Sequence, residues 1–388
     1  MLLLLFLSTI VVNTAFEAGS IGRIERVSPT HLRCAVKGQA DQDGRNRQAS
    51  WYYFRLDNLP RAEVRIDLTE LVGEYNYRPG AHAVTKNTRP VFSYDNQRWT
   101  HFTDQQIDWD DNKKELSIRF TPAQRRMWIA HVPPYTTRHL ASLLAEARRH
   151  RFARVETVGK TVQGRDLPLV TVSEAPEDAK VIWIMARQHA WETGTSWVVD
   201  GALRFLTSNA AEAAALRKGA IWKFFPMGDP DGVANGQVRF NTNGFDVNRN
   251  WDTADEKRMP EIFFMRRSLL AWVDAGKRID LFLAMHNQEM GDYIDGPSLP
   301  VAQRFYDELA KTQSFQADKG PRNTFRPEQV APGRMTVNQY LFHSRKIPAF
   351  LMELAVQHNT RLGRPRTTED NVRFGPELLR AMLAAVTK

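Results

Sequence analysis

Val181–Trp197, VIWIMARQHAWETGTSW, is the stretch that decides how this chain reads. Its first five residues are continuously apolar, which suits a strand buried on both faces better than an amphipathic one. Such strands belong to sheets covered by helices, so the segment predicts an α/β domain. The run ends just before His189, and Glu192 follows three residues later. In open α/β sheets, ligands bind at the C-terminal edge of the strands. His189 and Glu192 have the spacing of a zinc-binding pair at that edge, although the spacing alone recurs by chance in many chains.

Two further apolar runs end in useful chemistry: Ile279–Met285 (IDLFLAM) delivers His286, and Pro348–Met352 (PAFLM) delivers Glu353. Singly, each has a bland explanation as a hydrogen-bonded histidine or a solvated glutamate. Together they are hard to ascribe to chance. Two histidines and one carboxylate form the ligand set of a catalytic zinc with one position left open. A further carboxylate that does not ligate supplies the proton acceptor that hydrolysis needs.

Between the histidines lies Gly228–Trp251, GDPDGVANGQVRFNTNGFDVNRNW, too rich in Gly, Asn and Asp for a core strand. Asp229-Pro230-Asp231-Gly232 is expected to be a surface turn. Asn248-Arg249-Asn250 places a planar guanidinium between two amides, a good fork for a carboxylate.

These pieces resemble the M14 zinc carboxypeptidases: HAWE, PDGVANGQVR, GFDVNRNW, the histidine of LAMHNQEMGDY and the glutamate of AFLMEL. The likeness is nearest to the cytosolic carboxypeptidase branch, through ARQH, ETGTSW and the upstream NRQASWYYFRL and RPVFSYD. It implies a carboxypeptidase-like α/β catalytic domain, a mixed sheet with helices on both faces, preceded by an all-β sandwich. It also implies a peptide hydrolase with one Zn2+ per chain, held by His189, Glu192 and His286, with Glu353 activating a zinc-bound water. By the same resemblance, Arg239 polarises the scissile carbonyl, and Asn248 and Arg249 hold the terminal carboxylate of a peptide or protein tail.

The chain also departs from the pattern. Ala190-Trp191 stands where the cytosolic branch has Pro-Gly, and the digestive branch's arginine is missing there too. A gapless count back from Glu353 puts Asn338 at the position lining the specificity pocket, with Arg334 nearby as a candidate for acidic side chains. The same count places Ala331 where the family has its substrate-capping tyrosine; Tyr340 and Tyr293 are substitutes.

The 388 residues suffice for two domains. Alternation of Val64, Ile66 and Leu68 with Arg65, Asp67 and Thr69, repeated at Leu116, Ile118 and Phe120, predicts half-buried antiparallel sheet. Pro133-Pro134 marks a boundary, after which Thr136 can cap a helix burying Leu140, Leu143, Leu144 and Ala147. The expected organisation is a β-sandwich over 13–130 and a catalytic domain over 131–388. A last helix should bury Leu378, Leu379, Met382, Leu383 and Val386. Residues 1–12 contain an apolar run too short to span a bilayer, with the character of a secretory h-region. No Lys or Arg precedes it, and Asn13-Thr14-Ala15 is the nearest cleavage site, so export competes with a cytoplasmic location.

A single cysteine, Cys34, rules out an intramolecular disulfide framework. The formal net charge of +9 suits acidic peptide tails. The arginines are dispersed and not interleaved with aromatics, so no nucleic-acid platform and no stable membrane insertion is expected. Oligomeric state stays open. Competing functions are an aspartoacylase-like amidohydrolase acting on acyl-amino acids, a peptidase of cell-wall peptides, and an inactive binding module. Arg239 and the NRNW motif favour the peptidase, and the complete set of His189, Glu192, His286 and Glu353 disfavours the inactive module.

Overall fold

The structure, a computed structural model, describes residues 9–317, 320–325 and 330–387. The chain forms two compact units, one running up to Pro134 and including Val233–Val238, the other Tyr135–Gly232 with Arg239–Lys388.

The first unit is built from two five-stranded sheets. Val64–Thr69 pairs antiparallel with Glu115–Phe120, and Leu116, Ile118 and Phe120 face Leu68, Ile66 and Val64. These side chains join Phe54, Leu56, Met127 and Ile129 of the other sheet in one apolar core. The opposite face of the strand is polar: Asp67 accepts from Ser117 Oγ (2.6 Å) and Arg65 Nε (2.7 Å). The alternation read from the sequence is thus the alternation of the pleat. One pairing, His31–Ala35 with Val64–Thr69, is parallel. Of the expected signal segment, residues 1–8 lie outside the described residues. Ile10 is buried in the core, and Val11–Asn13 pairs with Tyr53–Asp57 as an edge strand.

The second unit has strands β1 (Ala153–Lys160), β2 (Asp166–Val172), β3 (Lys180–Ala186), β4 (Ala220–Phe225), β5 (Leu281–Gln288), β6 (Tyr293–Asp295) and β7 (Ala349–Ala355). They form one mixed sheet in the order β1-β2-β4-β3-β5-β7-β6. The central four are parallel, and β1, β2 and β6 run antiparallel to their neighbours. The helices are α1 (Thr137–Ala147), α2 (Thr193–Thr207), α3 (Ala211–Gly219), α4 (Pro260–Asp274), α5 (Pro300–Leu309), α6 (Val337–Arg345) and α7 (Thr368–Thr387). Val181, Trp183 and Met185 share a core cluster with Ile262, Met265 and Leu269 of α4 and Val337 and Leu341 of α6. Helices α2 and α7 pack together and against the sheet. Covering on both faces is why the β3 run is apolar without a break, with every residue from Val181 to Met185 buried.

Thr136 caps α1 in a capping box with His139, and the four expected apolar residues are buried. In α7 the buried stripe runs through Leu378, Leu379, Ala381, Met382 and Ala385, while Leu383 and Val386 are half-buried. The expectation followed hydrophobicity alone, whereas the buried positions also take in the small Ala381 and Ala385. The expected surface turn at Asp229–Gly232 is also corrected. Pro230–Ala234 is a turn of helix, and both Asp229 and Asp231 are completely buried. Burial of Asp231 is tolerated because Thr161 Oγ1 (2.8 Å), the Gln163 N–H (2.7 Å) and Arg165 Nη1 (2.7 Å) all donate to it.

Candidate active site

Three neighbouring strands deliver the chemistry to one edge of the sheet. His189 lies just beyond β3, in a loop that turns into α2 with Glu192 as its N-cap. His286 and Glu353 do not follow their strands, as the apolar runs suggested. They lie inside β5 and β7 and are direct partners in the parallel pairing. Tyr293 of β6 is the partner of Glu353 on the other side. Paired residues project from the same face of a sheet, so His286, Glu353 and Tyr293 form a row.

The loop carrying His189 is held by Arg187, a buried arginine with a left-handed backbone (φ 57°). Its Nε donates to Ala190 O (2.8 Å) and its Nη1 to Ser196 Oγ (3.0 Å), tying the loop to the first turn of α2. Burial lowers its pKa to about 9, opposed chiefly by the ionised carboxylate of Glu192.

Glu192 bridges the two histidines, with Oε1 2.7 Å from His189 Nδ1 and Oε2 2.9 Å from His286 Nδ1. Ligand atoms of the three residues lie within 4.8 Å of one another, and all three residues are buried. Burial by itself would raise the Glu192 carboxyl, but His189 and His286 hold it down at about 2. An ionised carboxylate between two imidazole nitrogens is a donor set that fits zinc, which in catalytic sites takes three protein ligands.

The far side of each imidazole is also occupied. His189 Nε2 lies 3.0 Å from Asp246 Oδ1, and Arg239 Nε donates to Asp246 Oδ2 (2.6 Å). Burial pushes Asp246 up, but Arg239, His189 and Arg249 together keep it well below the usual carboxylate range. An acceptor on Nε2 fixes the tautomer that leaves Nδ1 bare for a metal. The Asn248 amide lies 3.0 Å from His286 Nε2, and its oxygen accepts from the Val337 N–H (3.0 Å) at the start of α6.

The expected amide–guanidinium–amide fork is therefore not formed. Asn248 is engaged with His286 and Val337, while Asn250 bonds to Gly333 O. Arg249 Nη1 donates to the Asn248 carbonyl (2.8 Å). Asn338 is buried in the first turn of α6, where its oxygen accepts from Thr336 Oγ1 (2.7 Å). Arg334 and Ala331 are exposed in a turn closed by the Arg334 N–H to Ala331 O bond (3.0 Å). Of the two substitute tyrosines, Tyr293 stands beside Glu353, whereas Tyr340 has the Arg266 guanidinium over its ring at 5.4 Å.

Glu353 Oε2 is buried and makes no hydrogen bond. Its carboxyl is pushed well above the usual range by burial, Glu192 and Glu289, against the opposing charges of Arg239 and Arg322. The sequence reading missed Asp246 and Arg187. Asp246 lay in the quoted GFDVNRNW, and its neighbour in space, His189, is what gives it a role.

Comparison with known proteins places this geometry. A model described as zinc carboxypeptidase matches residues 141–289, and one described as cytosolic carboxypeptidase N-terminal domain matches residues 12–132. An uncharacterised protein of Zymomonas mobilis is 27% identical over 328 residues, covering 81% of this chain and 80% of its own. Mouse cytosolic carboxypeptidase 1 is 26% identical over 311 residues, covering 70% of this chain but only 25% of its own length. The crystal structure of a Shewanella denitrificans protein described as a carboxypeptidase A superposes with a TM-score of 0.83 at 25% identity, covering 97% of this chain and 99% of that one. The chain belongs to the M14 zinc carboxypeptidases, with the N-terminal domain of the cytosolic branch, and is a peptide hydrolase.

Proposed function

We propose that the chain is a zinc-dependent enzyme that removes the C-terminal residue of peptides or proteins. The observation that carries this reading is the meeting of ligand atoms of His189, Glu192 and His286 within 4.8 Å, beside a Glu353 whose buried oxygen lacks a partner. These residues would hold one Zn2+, which when bound acts as a Lewis acid on water and carbonyl oxygen. Asp246 and Asn248 orient the two imidazoles. Glu353 takes the proton of the attacking water and passes it to the leaving amine, as a general base and then a general acid. Arg239, anchored to Asp246, faces the negative charge that develops on the carbonyl oxygen. Arg249 pairs with the terminal carboxylate, and Asn338 and Arg334 are the sequence-derived candidates for the side-chain pocket.

The test compares peptides with free and amidated C-termini, products being read by mass. Free acids should lose one residue at a time and amides should be poor substrates. Arg249→Lys loses the bidentate geometry, worth about 1.5–3 kcal/mol, so activity on free acids should fall roughly ten- to a hundredfold while the gap to amides narrows. Equal hydrolysis of acid and amide would sink the exopeptidase reading, and cleavage of acyl-amino acids alone would replace it with an amidohydrolase. No helix among the described residues is long and apolar enough to cross a membrane. A cytoplasmic location, suggested by relatives named cytosolic carboxypeptidases, is tested against export by N-terminal sequencing of the protein from fractionated cells.

A further inference from the structure

Glu192 occupies the N-cap of α2, but its carboxylate is turned to His189 and His286, so it gives the helix no side-chain cap. An N-cap side chain normally accepts from an N–H of the first turn, where the backbone donors lack partners within the helix. Here the acceptor comes from another element. Asn287 follows His286 in β5 and projects from the opposite face of the sheet. Its Oδ1 accepts from the Thr195 N–H (3.3 Å), a donor shared with the Glu192 carbonyl (3.3 Å). Its Nδ2 donates to the carbonyl of Leu354 (3.0 Å), the residue after Glu353 in β7. Asn287 and Thr195 are both buried. The Thr195 hydroxyl continues the chain, donating to Glu192 O (2.9 Å) and accepting from the Arg187 N–H (3.2 Å). One amide therefore joins β5, β7 and the first turn of α2, the elements that carry His286, Glu353 and Glu192. The fit is close: a Cβ on Gly194 would come 2.8 Å from Asn287 Oδ1.

We infer that Asn287 is a positioning residue: it supplies the α2 cap that Glu192 cannot, and so fixes the Glu192 carboxylate against His286 and the Glu353 base. This rests on the carboxypeptidase reading above. Burial makes the amide an exacting partner, since a buried donor or acceptor left unmet is costly. Its oxygen must face an N–H and its nitrogen a carbonyl, and both conditions hold in one orientation. Thr195 is thereby kept at a set distance from β5 and β7. Glu192 is bound to Thr195 through its carbonyl, so a shift of Thr195 carries the carboxylate with it. Metal affinity depends on the direction of each ligand as well as its identity, and groups behind the ligands set that direction.

The experiment measures zinc affinity by chelator competition, Tm, and kcat and KM of the zinc-loaded enzyme on a peptide with a free C-terminus. It compares the native protein with Asn287→Leu, Gly194→Ala and Gly201→Ala. Asn287→Leu keeps the volume and removes both hydrogen bonds. Gly194→Ala favours the helix but pushes the amide aside, and it decides the matter if Asn287→Leu does not fold. In both, zinc affinity should fall roughly ten- to a hundredfold, and kcat should fall by about tenfold with KM unchanged. Gly201→Ala, about two turns further along α2, should lower Tm yet keep zinc affinity and kcat. Native zinc affinity in Gly194→Ala, an equal loss of affinity in Gly201→Ala, or a raised KM with kcat intact overturns the assignment while the carboxypeptidase reading stands. A native protein that binds zinc but cleaves no peptide overturns the carboxypeptidase reading, and the chelator competition still decides whether Asn287 places Glu192.

Discussion

Glu353 and Asp246 are both carboxylates in one site, and their surroundings push them in opposite directions. Asp246 is held ionised by two arginines and His189, whereas Glu353 is driven towards its protonated form by burial and Glu192. A permanently ionised group suits orientation and a shiftable one suits proton transfer. Glu353→Gln keeps the size but cannot accept a proton. Zinc content, measured by atomic absorption, should stay near that of the native protein while turnover falls by roughly two orders of magnitude or more. Parallel loss of metal would make Glu353 a ligand. Asp246→Asn keeps the shape but removes the charge facing His189 Nε2 and Arg239. Zinc affinity in chelator competition should weaken by roughly ten- to a hundredfold, the usual effect of removing an orienting partner. Unchanged affinity would mean that Arg187 and the α2 cap alone position the loop.

Helices α2 and α7 meet through glycines. A Cβ on Gly201 would come 2.0 Å from Val372 O, and one on Gly375 would come 2.4 Å from Ala202 N. Replacing Gly201 by Ala improves intrinsic helix propensity by about 1 kcal/mol. The clash is with backbone, which cannot rotate away, and overpacking of this kind costs about 1–3 kcal/mol. The clash should win, and Gly201→Ala should lower Tm by a few degrees in a thermal melt. A raised Tm would show that the helices separate freely. The approach rests on Gly201 and Gly375, neither of which carries a hydrophobic signal in the sequence. An apolar stripe ranks side chains by hydrophobicity, whereas close helix approach selects small ones.

For the catalytic unit as a whole, buried acids set the pH response. Asp229 is completely buried, and its Oδ2 has no hydrogen-bond partner. Burial and the nearby Glu261 push its carboxyl well above the ordinary value of 3.8. A carboxyl raised in the folded state favours folding only while protonated. Its contribution is complete below the ordinary aspartate range and is lost as pH climbs from there towards the raised value. Asp229→Asn removes the ionisation. The variant should be more stable than the native protein near neutral pH, and its urea midpoint should fall less between pH 4 and the neutral range, as an order-of-magnitude window from the ordinary carboxylate value. Identical midpoint-versus-pH curves for the two proteins would show that Asp229 stays ionised at no cost.

The sequence by itself determined the class of each domain, because period-two alternation and unbroken apolar runs are local consequences of one-sided and two-sided burial. It also supplied His189, Glu192, His286 and Glu353 as candidates, since each lies at or near the end of such a run. Tertiary structure alone decided what these residues face. Strand order makes His286, Glu353 and Tyr293 a row although Tyr293 is sixty residues from Glu353 in the chain. Asn248 was read as a carboxylate ligand from its neighbours in sequence, yet its amide is taken by His286 and Val337. Asp246 likewise carries no local signal, because a carboxylate in a loop gains its role only when the fold sets His189 and Arg239 against it. Periodicity records how a segment is buried, and the chemistry of a site depends on partners that periodicity does not encode.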